Sequence, residues 1–387
     1  MELRDSIEER ASDVRSRLEL IERALAEEMG KNHSGRGIHL LHFLYFEKKG
    51  YLLALAELEA LLQGLNKQSI EDMAMALGPK LTINRSCVGA AENEHVKAEA
   101  GERIYRMVTL GGISDGLLIT PVLRALKQKF PDCKIHVYCT KESHKEVLTN
   151  NKYIDRLRNI GALTKLIYLL FSRLNLVRIQ YANYRDLAPS LFYRKHAAEI
   201  MGEMLNIKVD DPRPDCFLTE EEEKEAKRVV AMYHNPVAIH VTAKRSPNKH
   251  WLTENWERLV QNNPHCSFLQ IGSADDDLIR GVIDLRGTTL RRGMGIVKMA
   301  KAFIGVDSVF AQAAAAFRTP AVILFGASTP IVWGHVGNNN LYNPPPCSPC
   351  IDVLKRDPCP HGRTCMSNIT VSDVQRSLSA LIVNAAE

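Results

Sequence analysis

The sequence predicts an α/β protein: two successive domains of buried strands and intervening helices facing a cleft, behind an all-helical N-terminal module. Three observations carry this expectation. Short apolar runs rich in β-branched and aromatic residues alternate with helical patterns from Glu102 to Gly326. Both halves of that stretch open with a strand followed by a turn of small or polar residues and a helix. Before residue 78 the only periodicity is helical. The 387 residues leave room for two or three domains.

Residues 1–77 form the helical module. Ile7, Ala11, Val14, Leu18, Ile21 and Leu25 fall alternately four and three apart, a heptad-like seam over 2–29. Asn32, Ser34, Gly35 and Gly37 stop that helix, and leucines from Leu41 to Leu62 continue the pattern over 38–64. The module contains no reactive constellation, and its reading is packing or a homo-oligomer. Residues 78–101 are polar and aperiodic, a linker.

The first α/β domain covers 102–214. Ile104 to Leu110 reads as a strand, followed by Gly111-Gly112-Ile113-Ser114-Asp115-Gly116, a helix from about Leu117 to Phe130, and a strand from Lys134 to Cys139. This is a Rossmann-like start without the GxGxxG fingerprint of a dinucleotide site. Further alternation follows: helix 142–149, strand near 154–159, helix 162–172, strand near 177–181 and helix 190–205. Pro212 and Pro214 mark the next boundary.

The second domain, 215–387, opens with a helix from Glu220 to Tyr233 and a strand from Pro236 to Val241 that runs into the loop Thr242 to Lys249. A second strand ends at Gly272. The stretch 302–326 holds strand, Asp307-Ser308, a small helix and a second strand. It aims a helix N-terminus out of the carboxyl edge of the sheet, which suits a phosphate. The tail over 370–383 reads as a last helix.

Hydrophobic content of 45% and charged content of 25% are those of a soluble chain, and a net charge of +5 is too mild to argue for nucleic acid. Leu40–Phe46 and Ala162–Phe171, the most apolar runs, fall short of the ~20 residues that span a bilayer. The expected location is the cytoplasm, with room for contact at the inner membrane surface. Of nine cysteines, five read as small core residues. Cys347, Cys350, Cys359 and Cys365 instead crowd a Pro- and Gly-rich loop at 343–368 with the spacing CxxC, eight residues, C, five residues, C. Four thiolates suit one structural zinc or iron ion, with His361 able to replace one ligand; unligated thiols or disulfides are the alternative.

Three segments resemble glycosyltransferase family 9, the heptosyltransferases, over about 103–330. SDGLLITPVLRALKQKFPD at 114–132 is similar to the family's first strand-to-helix turn, with Pro121 six residues after Asp115. NKHWLTENW at 248–256 resembles its Lys-x-Trp-Pro-x-x-x-Trp stretch. GVDSVFAQAAAAFRTPAVILFGAST at 305–329 resembles its Asp-Ser-Gly-x-x-His-x-Ala-Ala segment. Ser114, Val309 and Gln312 depart from the pattern, standing where the family has Gly, Gly and His.

The resemblance implies a GT-B architecture and an inverting transfer of a sugar, heptose being favoured, from a nucleotide-diphosphate donor such as ADP-heptose to a hydroxyl on a glycan, protein or small molecule. Donor-binding residues by resemblance are Thr242, Lys244, Lys249, Gly272, Asp307, Ser308 and Gln312. Arg245 and Lys244 also read as a solvated basic loop. Asp115 is the candidate base, its alternative being a helix cap. No organic cofactor is implied. Val309 and Gln312 keep a second reading open, a catalytically silent nucleotide-sugar-binding or assembly protein of the same fold.

Overall fold

The computed structural model describes residues 12, 15, 16, 19, 22, 23, 104–109, 112–160, 195–243, 246–350 and 359–384. The chain divides into two compact units, Met1–Gly101 with Gly161–Tyr181, and Glu102–Ile160 with Ala182–Glu387. In the first unit the six described residues are helical. Ser16 Oγ donates to Ser12 O at 3.1 Å, and Arg23 lies 3.6 Å from Glu19. The rest of the expected helical module, the linker, helix 162–172, strand 177–181 and the start of helix 190–205 lie outside the described residues.

The second unit carries two parallel sheets. The first has three strands in the order β1-β2-β3: β1 Ile104–Thr109, β2 Lys134–Cys139 and β3 Arg156–Asn159. Between them run α1 Ile113–Leu118, α2 Thr120–Lys129 and α3 Glu142–Leu148, and α4 Ala197–Met204 packs on α2. The single helix expected from Leu117 to Phe130 is therefore two. Pro121 has no N–H to give an interior helical bond, so it sits in the first turn of a new helix instead.

The second sheet has six strands: β4 Pro236–His240, β5 Ser267–Gln270, β6 Ile283–Asp284, β7 Ala302–Val306, β8 Ala321–Phe325 and β9 Asn339–Tyr342. All pairs are parallel, and the order is β6-β5-β4-β7-β8-β9. The direction of winding reverses between β4 and β7, the point where open α/β sheets leave a crevice. The helices are α5 Glu220–Val230, α6 Thr253–Gln261, α7 Leu290–Met299, α8 Val309–Phe317, α9 Pro330–Trp333, α10 Thr364–Ser367 and α11 Val371–Asn384. Helix α7 starts at Leu290 because the Thr289 hydroxyl accepts from Arg292 N and caps it there.

Alternation in the central strands divides the core. Val237, Ile239 and Ile304 face a layer with Trp256, Leu259, Val374 and Leu378. Ala238 and Phe303 face the opposite layer, which runs on into Met107 and Val137 of the first sheet and Leu117 of α1. One continuous apolar core therefore joins the two sheets, with α8 against α1 and α7 against α3. Burying each large side chain in it stabilises the fold by about 1.5–3 kcal/mol. The last helix, α11, packs on α6, β7, β8 and β9 of its own domain, where its apolar stripe finds a ready face. Among the described residues no helix is long and apolar enough to cross a membrane.

Candidate functional site

The carboxyl ends of β4, β5 and β7 gather a set of polar groups at the reversal point. His240 ends β4, and Thr242 follows it, buried. β5 runs into Gly272, whose φ of +137° favours glycine; a Cβ there would lie 2.3 Å from Asp276 Oδ2 and 3.1 Å from the His240 ring. Asp276 is buried and accepts from Ser273 N at 2.8 Å. β7 runs into Asp307 and Ser308, and Ser308 is the N-cap residue of α8.

Both Asp307 and Ser308 suit a helix start, but neither side chain caps. Asp307, 4% exposed, pairs with Lys249, whose Nζ lies 2.6 Å from its Oδ2. Ser308 Oγ makes no cap bond and lies 3.0 Å from His240 Nδ1. The first-turn N–H groups of α8 are consequently left to a ligand or to solvent.

The Lys-x-Trp stretch explains how Lys249 reaches this point. Trp251 and Trp256 are buried, with rings edge to face at 5.1 Å. Trp251 Nε1 donates to Ile369 O at 2.8 Å. The tryptophans anchor the loop in the core, and Lys249 is carried to Asp307 with its ammonium 5.8 Å from the Trp333 ring. His250 Nε2 accepts from Ala243 N at 3.1 Å and closes the loop from the other side. Burial, and then the charge of Arg363, holds the His250 pKa below the usual histidine value. Lys244 and Arg245 lie outside the described residues.

Gln312 is 1% exposed and both ends of its amide are engaged: Nε2 donates to Trp333 O at 2.9 Å, and Oε1 lies 2.6 Å from His335 Nε2. The His335 ring stands against that of His196 at 4.9 Å between centroids. His196 Nδ1 accepts from Ala198 N and caps α4. Burial pushes His196 down to about 4; burial and then the neighbouring His196 push His335 down to about 3. Burial also pushes His240 well down, against the opposing charge of Asp276. His240, His335 and His196 were not legible as site residues, since a lone histidine in sequence carries no spacing signal.

Asp115 is the third residue of α1, with Oδ2 accepting from Gly112 N at 2.5 Å in a capping arrangement. Buried His144 braces the same turn, with Nδ1 2.9 Å from Thr109 Oγ1 and Nε2 2.8 Å from Gly112 O. Because α1 packs on α8, Asp115 and Ser308 belong to two helices in contact, one from each sheet.

Cys350 and Cys365 are buried, and Cys347 and Cys359 half-buried. Cys350 N donates to Ala327 O at 2.8 Å, just past β8. Burial, and then the thiols of Cys365, Cys347 and Cys359, pushes Cys350 up to about 12; burial, Cys347 and Cys359 push Cys365 up to about 11. The four sulfurs thus share one electrostatic environment. Among the described residues, however, no group of three or more His, Cys, Asp or Glu side chains is arranged to hold a metal ion.

This six-stranded sheet with its polar edge is covered by one family match. Residues 190–359 match glycosyltransferase family 9 (heptosyltransferase). The matched segment takes in β4 to β9 and every residue of the polar edge above, which places the chain among glycosyltransferases. Lipopolysaccharide heptosyltransferase 3 of Escherichia coli K12 is 27% identical, over 57% of this chain and 81% of that protein. The solved family 9 glycosyltransferase of Veillonella parvula has a TM-score of 0.56 at 16% identity, covering 73% of this chain and 97% of that one. TibC of enterotoxigenic Escherichia coli, a dodecameric iron-containing heptosyltransferase solved with ADP-D-β-D-heptose, has a TM-score of 0.56 at 15% identity, covering 73% and 77%. Both solved structures share the fold, two parallel α/β domains of GT-B type.

Proposed function

We propose that the chain transfers a sugar from a nucleotide-diphosphate donor, ADP-heptose being favoured, to an acceptor hydroxyl with inversion at the anomeric carbon. The single observation behind this reading is the family 9 segment's polar edge at β4, β5 and β7, where Lys249, Ser308 and the uncapped start of α8 converge. An ammonium, hydroxyls and free backbone N–H groups suit a diphosphate and stabilise it as charge builds on the leaving group. Thr242 and Gly272 complete the donor edge. Gln312 acts behind it, through Trp333 and His335, on the position of α9.

The acceptor sits on the first sheet's side, with Asp115 as base. An attacking hydroxyl must lose its proton as the new bond forms, and a carboxylate at hydrogen-bond reach accepts it. In this structure Asp115 caps α1, so the base role requires its carboxylate to serve the acceptor as well as Gly112. The acceptor is a glycan, protein or small molecule. The reading includes self-association through the N-terminal segment, and dodecameric TibC supports an oligomer.

The reading includes one structural zinc or iron ion at Cys347, Cys350, Cys359 and Cys365. An all-thiolate donor set suits either metal, and iron-containing TibC supports it. Four protein ligands leave no open position, so the ion would order the loop and take no part in transfer.

The test is release of free ADP, with transfer of heptose, when the full chain is mixed with ADP-heptose and a panel of acceptors. Asp115→Asn keeps the cap and should cut turnover by ~100-fold or more while nucleotide affinity holds. Full activity in that variant rules Asp115 out as the base. Binding of ADP-heptose with no turnover on any acceptor favours the silent-binding reading.

A further inference from the structure

We propose that His240 is a positioning residue of the donor edge: its Nδ1 holds the Ser308 hydroxyl away from helix α8, keeping that edge open to the diphosphate. The inference rests on the nucleotide-diphosphate reading above and adds a residue to it.

A serine at an N-cap ordinarily turns its oxygen inward to accept from the second or third N–H of its own helix. Thr289 does this at α7 and Thr219 does it at α5. Ser308 heads a nine-residue helix and makes no such bond; its Oγ lies 3.0 Å from His240 Nδ1. A hydroxyl folded inward would occupy the donors that a phosphate oxygen needs. The imidazole takes the hydroxyl instead.

The ring is held in place on two sides. Phe310 stands edge-on at 4.8 Å between centroids, and the backbone of Gly272 passes so close that a Cβ there would lie 3.1 Å from Cδ2 and 3.4 Å from Nε2. The titratable groups acting on it are Asp276, from the loop after β5, and His250. Burial outweighs Asp276 and keeps the imidazole neutral near pH 7, so it orients Ser308 without placing a charge in the core.

The test is calorimetric titration of the full chain with ADP, with a melting curve to confirm that each variant folds. His240→Phe keeps the volume and removes the nitrogen, and should weaken ADP binding about tenfold, the worth of one cap hydrogen bond. His240→Asn, which can present a polar atom near the place of Nδ1, should stay within about threefold of wild type. In a Ser308→Ala background, His240→Phe should cost less than about twofold more, because no hydroxyl remains to fold back. Should the Phe variant not fold, His240→Ala is read by the same criteria. Equal losses in the two backgrounds, or no loss in either, overturn the proposal. A wild-type chain that fails to bind ADP removes the nucleotide reading itself, and this inference with it.

Discussion

Lys249 shows at the scale of one residue how a site can be poised and still occupied. Its ammonium pairs at 2.6 Å with Asp307, which is almost fully buried. Burying Asp307 without a counter-charge would be costly, and Lys249 supplies it. On the proposed reading, an incoming diphosphate would share that ammonium. Lys249→Ala should weaken ADP binding roughly tenfold, the loss of about one charge-assisted hydrogen bond. Unchanged affinity by titration would place the diphosphate elsewhere. The same substitution strands Asp307, so it should also lower the melting temperature.

His196 and His335 make a second residue-scale prediction, on pH. Each has a folded pKa below the ordinary value of about 6.5 because burial opposes its charge. On acidification the unfolded chain takes up protons that the folded chain refuses. Stability is therefore full above about pH 6.5 and falls as pH drops toward 4, by up to about 1.4 kcal/mol per unit for each ring. Urea unfolding from pH 7 to pH 5 reads this directly. A flat profile would mean that the rings are hydrated or already charged.

At the scale of elements, the cysteine loop follows β9 and returns to the sheet at α10. Cys350 is tied to Ala327 at the end of β8, and Cys365 lies in α10 against Gly326. An ion bound at these points would couple its binding energy to the folding of the chain between them. Elemental analysis of purified chain should find close to one zinc or iron, and Cys350→Ser should lower both metal content and melting temperature. Four freely titrating thiols with well under one metal per chain would refute the structural ion.

Across the whole molecule, Arg291 ties the two sheets together. From α7, its guanidinium bonds Glu222 of α5, the carbonyl of Phe217 at 2.8 Å, and the carbonyl of Glu146 in α3 at 3.1 Å. Arg124 of α2 grips the connecting segment from the other side, through Asp215 and the carbonyls of Asp211 and Arg213. Arg291→Ala leaves a half-buried carboxylate and several carbonyls without a donor. It should cost about 3 kcal/mol in denaturant unfolding, as for a broken buried pair. A loss under 1 kcal/mol would show that water takes over the contacts.

The sequence by itself determined the α/β class of the second unit and most of its strands, and it pointed to Thr242, Lys249, Gly272, Asp307 and Ser308, which the fold gathers at one sheet edge. Buried parallel strands must be short, apolar and β-branched, and the strand-to-helix turns need small polar residues; both are local requirements that a sequence displays. Asp307 was singled out the same way, by its place at an expected helix start, and Lys249 by the resemblance, in a motif whose tryptophans serve the core. The sequence did not show the break at Ile119, the added strand β9 or the diversion of Ser308 from its helix. Nor did it show the histidines, since His240, Ser308 and Gly272 lie on three different strand ends. Only the winding of the sheet, which reverses between β4 and β7, brings them together, and hydrogen bonding between residues 68 apart leaves no periodic trace along the chain. The tertiary structure alone decided that Asp307 binds a lysine instead of capping a helix, because a buried carboxylate takes the strongest donor within reach.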